Sequence, residues 1–445
     1  MEATRQLEAQ LNDFSLAKRA QALEALIALE EPAGAPQQAV NLHCHTFFSF
    51  NAYGYSPTSL AWLTRQRGFK ALGIVDFDVL DGVDEFLGAC ELLAVRGSAG
   101  METRLFIPEF SNREINSPGE PGVYYYMGIG FTSNRPPVTA APVLADMRRR
   151  AEERNRTMLA RINEFLAPVT LNYDRDVLPL TPVGNATERH ILAAYLQSAA
   201  GRFPDPVPFW AEKLQLAPEQ VTAQIGDTVK FSNTLRARLM KRGGVGYVQP
   251  GADAFPSLEK VNRLIVACGA LPCATWLDGT SAGEQALEEL LDLLISHGVV
   301  ALNIIPDRNW NIPDPGMRRL KVQKLYEVVA LAGKLDLPLN IGTEMNAPGQ
   351  KLIDDFDAPE LAPVRQAFLD GADFIYGHTV LQRAACLGYQ SEWAQTHLPA
   401  RRERNAFYTQ VGRLVAPGSA GLTGLRSLTP DLSPVVLLDR LANLS

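Results

Sequence analysis

The stretch Val40-Asn41-Leu42-His43-Cys44-His45-Thr46 decides how this chain is read. Two of its six histidines stand two apart at the end of a short apolar run, and the turn-forming Ser49-Phe50-Asn51-Ala52-Tyr53-Gly54 follows. Side chains at i and i+2 of a strand share one side. A strand over residues 39–45 therefore sends both imidazoles out of its C-terminal end together and turns Cys44 away. Such a pair holds a divalent metal when carboxylates reach it from elsewhere in the fold. Without them it reads as two strand-end histidines satisfied by ordinary hydrogen bonds.

Outward from this stretch, residues 40–137 alternate strand and helix signals, which predicts a parallel sheet with crossover helices. Ser56 before Pro57 is a helix start with a capping hydroxyl and a proline at the first helical position. That helix ends near Gly68. Apolar residues 71–75 then form a strand ending at Asp76, residues 83–93 a helix, residues 104–110 a strand and residues 124–131 an aromatic, glycine-rich strand. Residues 141–247 carry a nearly continuous helical signal and read as an insertion. Beyond Gly251 the alternation resumes, with strands over 271–275, 299–305, 337–344 and 374–378. The organisation expected is thus an N-terminal helical extension (1–38), a first barrel part (39–140), a helical insertion (141–250), a second barrel part (251–380) and a helical tail (381–445). The amphipathic pattern of residues 3–31 fits packing across the barrel or self-association into a homo-oligomer.

With 445 residues, 46% of them hydrophobic and 20% charged, the composition is that of a globular chain able to bury a large core. A formal charge of −7 and a pI near 5.5 argue against a nucleic-acid surface, which needs a clustered basic face. A local phosphate pocket is compatible with that charge. Five cysteines without a C-x-x-C pair suit a reducing, cytoplasmic setting rather than a disulfide framework. No apolar run has the length of a membrane span, and the first 31 residues lack the apolar core of a signal peptide.

Three segments, His43-Cys44-His45-Thr46, Gly73-Ile74-Val75-Asp76-Phe77-Asp78 and Gly100-Met101-Glu102-Thr103, follow one another at the spacing of the polymerase and histidinol phosphatase (PHP) family. The resemblance runs from about residue 40 to about residue 350. It implies a distorted (β/α)7 barrel with its site at the C-terminal strand ends, and the activity of a metal-dependent phosphoesterase. Thr187-Glu188-Arg189-His190-Ile191 is similar to a Thr-Arg-Pro-His-Ile segment in the inserted subdomain of one branch of that family.

The resemblance also implies a ligand set. His43 and His45 match the histidine pair, Glu102 the bridging carboxylate, and Glu344 stands where the family has an aspartate. Four family histidines are absent: Phe77, Trp276 and Asn346 replace three, and Tyr125 falls near the fourth. One divalent ion (Zn, Mn or Fe) per chain is what these residues support, against three in the family.

Asp76 and Asp78 read as a second-layer acceptor and a general base, or equally as a turn-forming pair. Tyr125 could orient an oxyanion or simply pack, and His378 is either a strand-end residue near the site or a hydrogen-bonded core histidine. Arg154 and Arg189 are candidates for an anionic substrate group, with a solvated helix face as the alternative. Asn346 either binds ligand or shapes its loop. Two functions follow: hydrolysis of a small phosphoester by metal-activated water, or a PHP-type fold that has lost catalysis and binds a ligand or partner.

Overall fold

The first strand, β1 (Gln37–Cys44), is exposed over two residues and buried over the next six. In the computed structural model, which describes residues 2–443, it opens a seven-stranded sheet whose spatial order follows the chain. The others are β2 (Phe69–Phe77), β3 (Gly97–Phe106), β4 (Val123–Ile129), β5 (Leu271–Trp276), β6 (Ala301–Ile304) and β7 (Leu339–Ile341). Beyond β7 the chain turns through Glu344 and Met345, both at positive φ. There Glu344 N–H donates to His43 O at 2.7 Å, and His45 N–H donates to Glu344 O at 2.8 Å. These two bonds bring the β7 end back to β1 and nearly close the barrel.

The helix after β1, Pro57–Arg67, has the ends expected of it. Ser56 Oγ accepts from Ser59 N, and Gly68 closes the helix in the left-handed conformation at φ 68°. The insertion packs helices Ala141–Leu166, Glu188–Arg202, Val207–Leu214, Pro218–Ile225 and Thr228–Leu239 around a core of its own, which includes Ile162, Tyr195, Trp210 and Leu235. The N-terminal helices, Glu2–Gln10 and Leu16–Ala28, lie on the barrel's outer layer. Buried Arg19 donates to both oxygens of Glu85 and to Asp13 O, while Trp62 Nε1 donates to Glu8. No helix among the described residues is long and apolar enough to cross a membrane.

Three expectations are corrected. β3 starts at Gly97 rather than near residue 104, so Glu102 lies inside the strand, paired with Phe77 on one side and Met127 on the other. Its small first residues hide it from propensity, yet they are needed: a Cβ at Gly97 would stand 2.6 Å from Cys90 Sγ. β4 runs antiparallel to both neighbours, because no crossover helix separates it from β3.

Residues 374–378 belong to the helix Arg365–Ala385 and not to a strand. Buried residues run almost unbroken from Phe368 to Leu381, so the helix shows no polar face to distinguish it from a buried strand. Its glycines allow that burial. A Cβ at Gly371 would meet Leu339 O, and one at Gly377 would meet Tyr408 O of the helix Arg401–Leu414.

Candidate metal centre

His43 on β1, His45 one residue past its end and Glu102 on β3 place their ligand atoms within 4.8 Å of one another, all buried. His45 Nε2 lies 3.2 Å and His43 Nε2 3.5 Å from Glu102 Oε2. None of these three atoms has a hydrogen-bond partner among the described residues. The reason lies on the far side of each ring.

His43 Nδ1 faces Asn303 Oδ1 at 3.2 Å, an oxygen that also accepts from Asn340 Nδ2 at 2.8 Å. An amide oxygen only accepts, so His43 carries its proton on Nδ1. His45 Nδ1 lies 3.0 Å from Ser49 Oγ, which donates its hydrogen to Asp76 Oδ1 at 2.6 Å. Ser49 must therefore accept from His45, and this ring too is protonated on Nδ1. Both Nε2 lone pairs then face a carboxylate oxygen in a buried site. Such an arrangement is unfavourable in itself and suited to a divalent cation.

Positive charge in this gap is favoured whether it is a proton taken up by an imidazole or a metal ion. Burial penalises the charge of Glu102, but His43 and His45 outweigh it and bring its pKa down to about 2. Burial likewise opposes a charged His43, and Glu102 more than offsets it, moving the pKa above its ordinary value. Two imidazole nitrogens and one carboxylate form a donor set that fits zinc, manganese or iron.

Glu344 lies beside this group without completing it. Its Oε2 accepts from Arg308 Nη2 at 2.6 Å and Gln350 Nε2 at 2.9 Å. Burial disfavours its charge, yet Arg308 and His43 hold the carboxyl below its ordinary range. Of the four residues expected from sequence, three thus face one another, and Glu344 stands beside them, ion-paired with Arg308.

Asp76 is buried and accepts from Thr46 N, Thr46 Oγ1 and Ser49 Oγ, so it fixes the loop after β1 and, through Ser49, the His45 ring. Burial raises its pKa. Asp78, at φ 56°, accepts from Thr103 Oγ1 at 2.6 Å and lines the cavity, and burial raises its pKa too. Phe77 stacks on the His45 ring at 4.7 Å, setting an apolar face beside it.

The cavity that Glu102 lines measures about 1140 Å³, between the barrel mouth and the insertion. Tyr125, Arg154, Arg189 and Asn346 all line it. Burial lifts the Tyr125 hydroxyl to about 12, so it stays a neutral donor at ordinary pH. Arg154 is partly committed, since its Nη1 donates to Ala254 O at 2.7 Å and its guanidinium lies over Phe255.

His378 is not part of this site. Its helix lies outside the barrel, its Nδ1 accepts from Tyr389 N, and its ring abuts Gly130 just beyond β4. Since β4 is antiparallel, that contact falls at the end of the barrel away from the triad. The core-histidine alternative is the one observed.

Sequence reasoning missed Ser49, Asn303, Asn340 and Arg308. Asn303 and Asn340 had a signal, being polar residues inside otherwise apolar strands. Arg308 had none.

Fold and site together define a seven-stranded, helix-wrapped α/β barrel with a candidate divalent-metal centre at its C-terminal strand ends. Two solved structures are similar to it. One is an amidohydrolase from Chromobacterium violaceum, solved with bound sulfate and no metal, with 17% identity and a TM-score of 0.50 over 75% of this chain and 96% of that one. The other is a protein from Bifidobacterium adolescentis, provisionally described as a metal-dependent phosphoesterase, with 19% identity and a TM-score of 0.48 over 75% of this chain and 97% of that one. At these identities the likeness is one of fold. No family model and no curated protein matches the chain.

Proposed function

We propose that this chain is a metal-dependent hydrolase of the PHP type, a phosphoesterase acting on a small phosphorylated molecule with one divalent ion. The observation that carries the reading is the convergence of three buried, unpartnered ligand atoms, one of them on Glu102, which also lines an arginine-lined cavity. His43, His45 and Glu102 would hold the ion. A divalent ion in such a site supplies Lewis acidity and lowers the pKa of a bound water to about 7.

The remaining work belongs to the chain's own groups. Asn303 and Ser49 fix the two imidazoles so that their Nε2 lone pairs face inward. Tyr125 is a neutral hydroxyl donor on the cavity wall, suited to a developing oxyanion. Asp78 is the cavity-lining carboxylate placed to take a proton, its raised pKa bringing it nearer to neutrality. Arg154 and Arg189 meet the anionic group of the substrate, and Asn346 contacts the substrate.

The test is a phosphomonoester and phosphodiester screen with added Mn²⁺ or Zn²⁺, run on the wild type and His45→Ala. Turnover that requires both the ion and His45 supports the reading. Activity independent of metal, or full activity in His45→Ala, contradicts it. Absence of turnover together with ligand-induced thermal stabilisation would instead favour a binding protein on the same fold.

A further inference from the structure

One wall of the cavity carries more positive charge than its carboxylates balance. Arg236 and Lys241 share Glu188, and Arg308 is anchored by Glu344. Arg189 lines the same wall, and its guanidinium has no ion-pair or hydrogen-bond partner among the described residues. Four cations thus face two carboxylates. Burial, and then the neighbouring Arg236, lower the Arg189 pKa to about 10. Its charge is therefore held at a cost that an incoming anion would relieve.

Arg308 is the residue best placed to meet that anion. One nitrogen, Nη2, is used on Glu344, the other guanidinium donors have no protein partner among the described residues, and 44% of the side chain remains open. An arginine fixed at one edge by a carboxylate is pre-organised, since little rotamer freedom is left to lose when the rest of its fork engages a ligand.

We infer that Arg308 and Arg189 form a binding site for a dianionic tetrahedral group, the phosphate of a monoester being the fitting chemistry, with Glu344 acting as the anchor of Arg308 and not as a metal ligand. The site supplies a fixed positive charge beside the His43–His45–Glu102 centre. A planar guanidinium can there take two oxygens of the phosphoryl group at once. The inference rests on the hydrolase reading for the identity of the anion, whereas anion binding itself can be measured without turnover.

The probe is inorganic phosphate, titrated calorimetrically into the full-length protein after chelator treatment, with metal content measured separately by elemental analysis after reloading. Wild-type protein binds phosphate without metal. Arg308→Met and Arg189→Met each weaken it at least tenfold, and Arg308→Lys restores part of the loss, which excludes misfolding as the cause. Glu344→Gln weakens phosphate binding by freeing Arg308 and leaves metal content unchanged. Wild-type phosphate affinity in Arg308→Met, no phosphate binding by the wild type, or loss of metal in Glu344→Gln would each overturn the assignment. Phosphate binding of this pattern without any phosphoester turnover would sink the hydrolase reading and leave this site standing.

Discussion

Ser49 Oγ lies 3.0 Å from His45 Nδ1, and because the hydroxyl gives its only hydrogen to Asp76, it fixes the imidazole as the Nδ1–H tautomer. A residue that cannot touch the ion thereby decides whether His45 can bind it. Partners of this kind are worth about 10–100-fold in metal affinity. Ser49→Ala should lower affinity for Zn²⁺ or Mn²⁺ by that factor in a competition titration against a chelator. Asn303→Ala should do the same through His43. Unchanged affinity in both variants would show that the rings need no such support.

Metal content is the next expectation. His43, His45 and Glu102 are the one three-residue ligand group among the described residues, and Phe77 occupies a neighbouring position with an aromatic ring. Elemental analysis should give at most one tightly bound transition-metal ion per chain, lost in Glu102→Gln and His45→Ala. His297→Ala, at an exposed helix end where Nδ1 meets Leu293 O, should keep it. Two or three ions, all lost in His45→Ala, would reveal ligands outside the triad.

His190 offers a clean pH experiment. Its Nδ1 accepts from Thr187 N in a capping box of the helix Glu188–Arg202, and burial drops its pKa to about 4. Because the folded pKa lies below the unfolded value of about 6.5, the unfolded chain takes up a proton that the folded chain refuses. Stability contributed by neutral His190 is therefore present above pH ~6.5 and lost as pH falls towards ~4, by roughly 3 kcal/mol at most. His190→Gln keeps a capping side chain and cannot titrate. In denaturant melts the variant should gain on the wild type as pH drops from 7 to 4, and a stability difference independent of pH would refute the assignment.

Arg19 and Glu85 pin the N-terminal extension. Both are nearly inaccessible, with side-chain exposures of 2% and 7%, and the two nitrogens Nε and Nη2 engage the two carboxylate oxygens. Removing one member of such a pair strands the other, at about 3–5 kcal/mol. Arg19→Met should destabilise the protein by that order and make the first 30 residues more sensitive to limited proteolysis. Cleavage kinetics identical to wild type would mean that other contacts, such as Trp62 with Glu8, hold the extension.

The sequence determined the elements whose signals are local. Alternation around His43 and His45 sets a strand with both rings on one side, Ser56-Pro57 and Gly68 bound a helix, and the resemblance of three segments to PHP motifs is what groups Glu102 with the histidines. Tertiary structure decided what depends on distant partners. His43 meets Asn303 across 260 residues of chain, a contact that no periodicity encodes. Glu344 looks like a ligand in its own strand, and only the fold shows that Arg308, on the short helix Asp307–Trp310 after β6, donates to its Oε2. His378 follows an apolar run that suits strand or helix alike. Only the packing of Gly371 and Gly377 against neighbouring carbonyls, possible in a helix buried on all sides, made it a core residue remote from the triad.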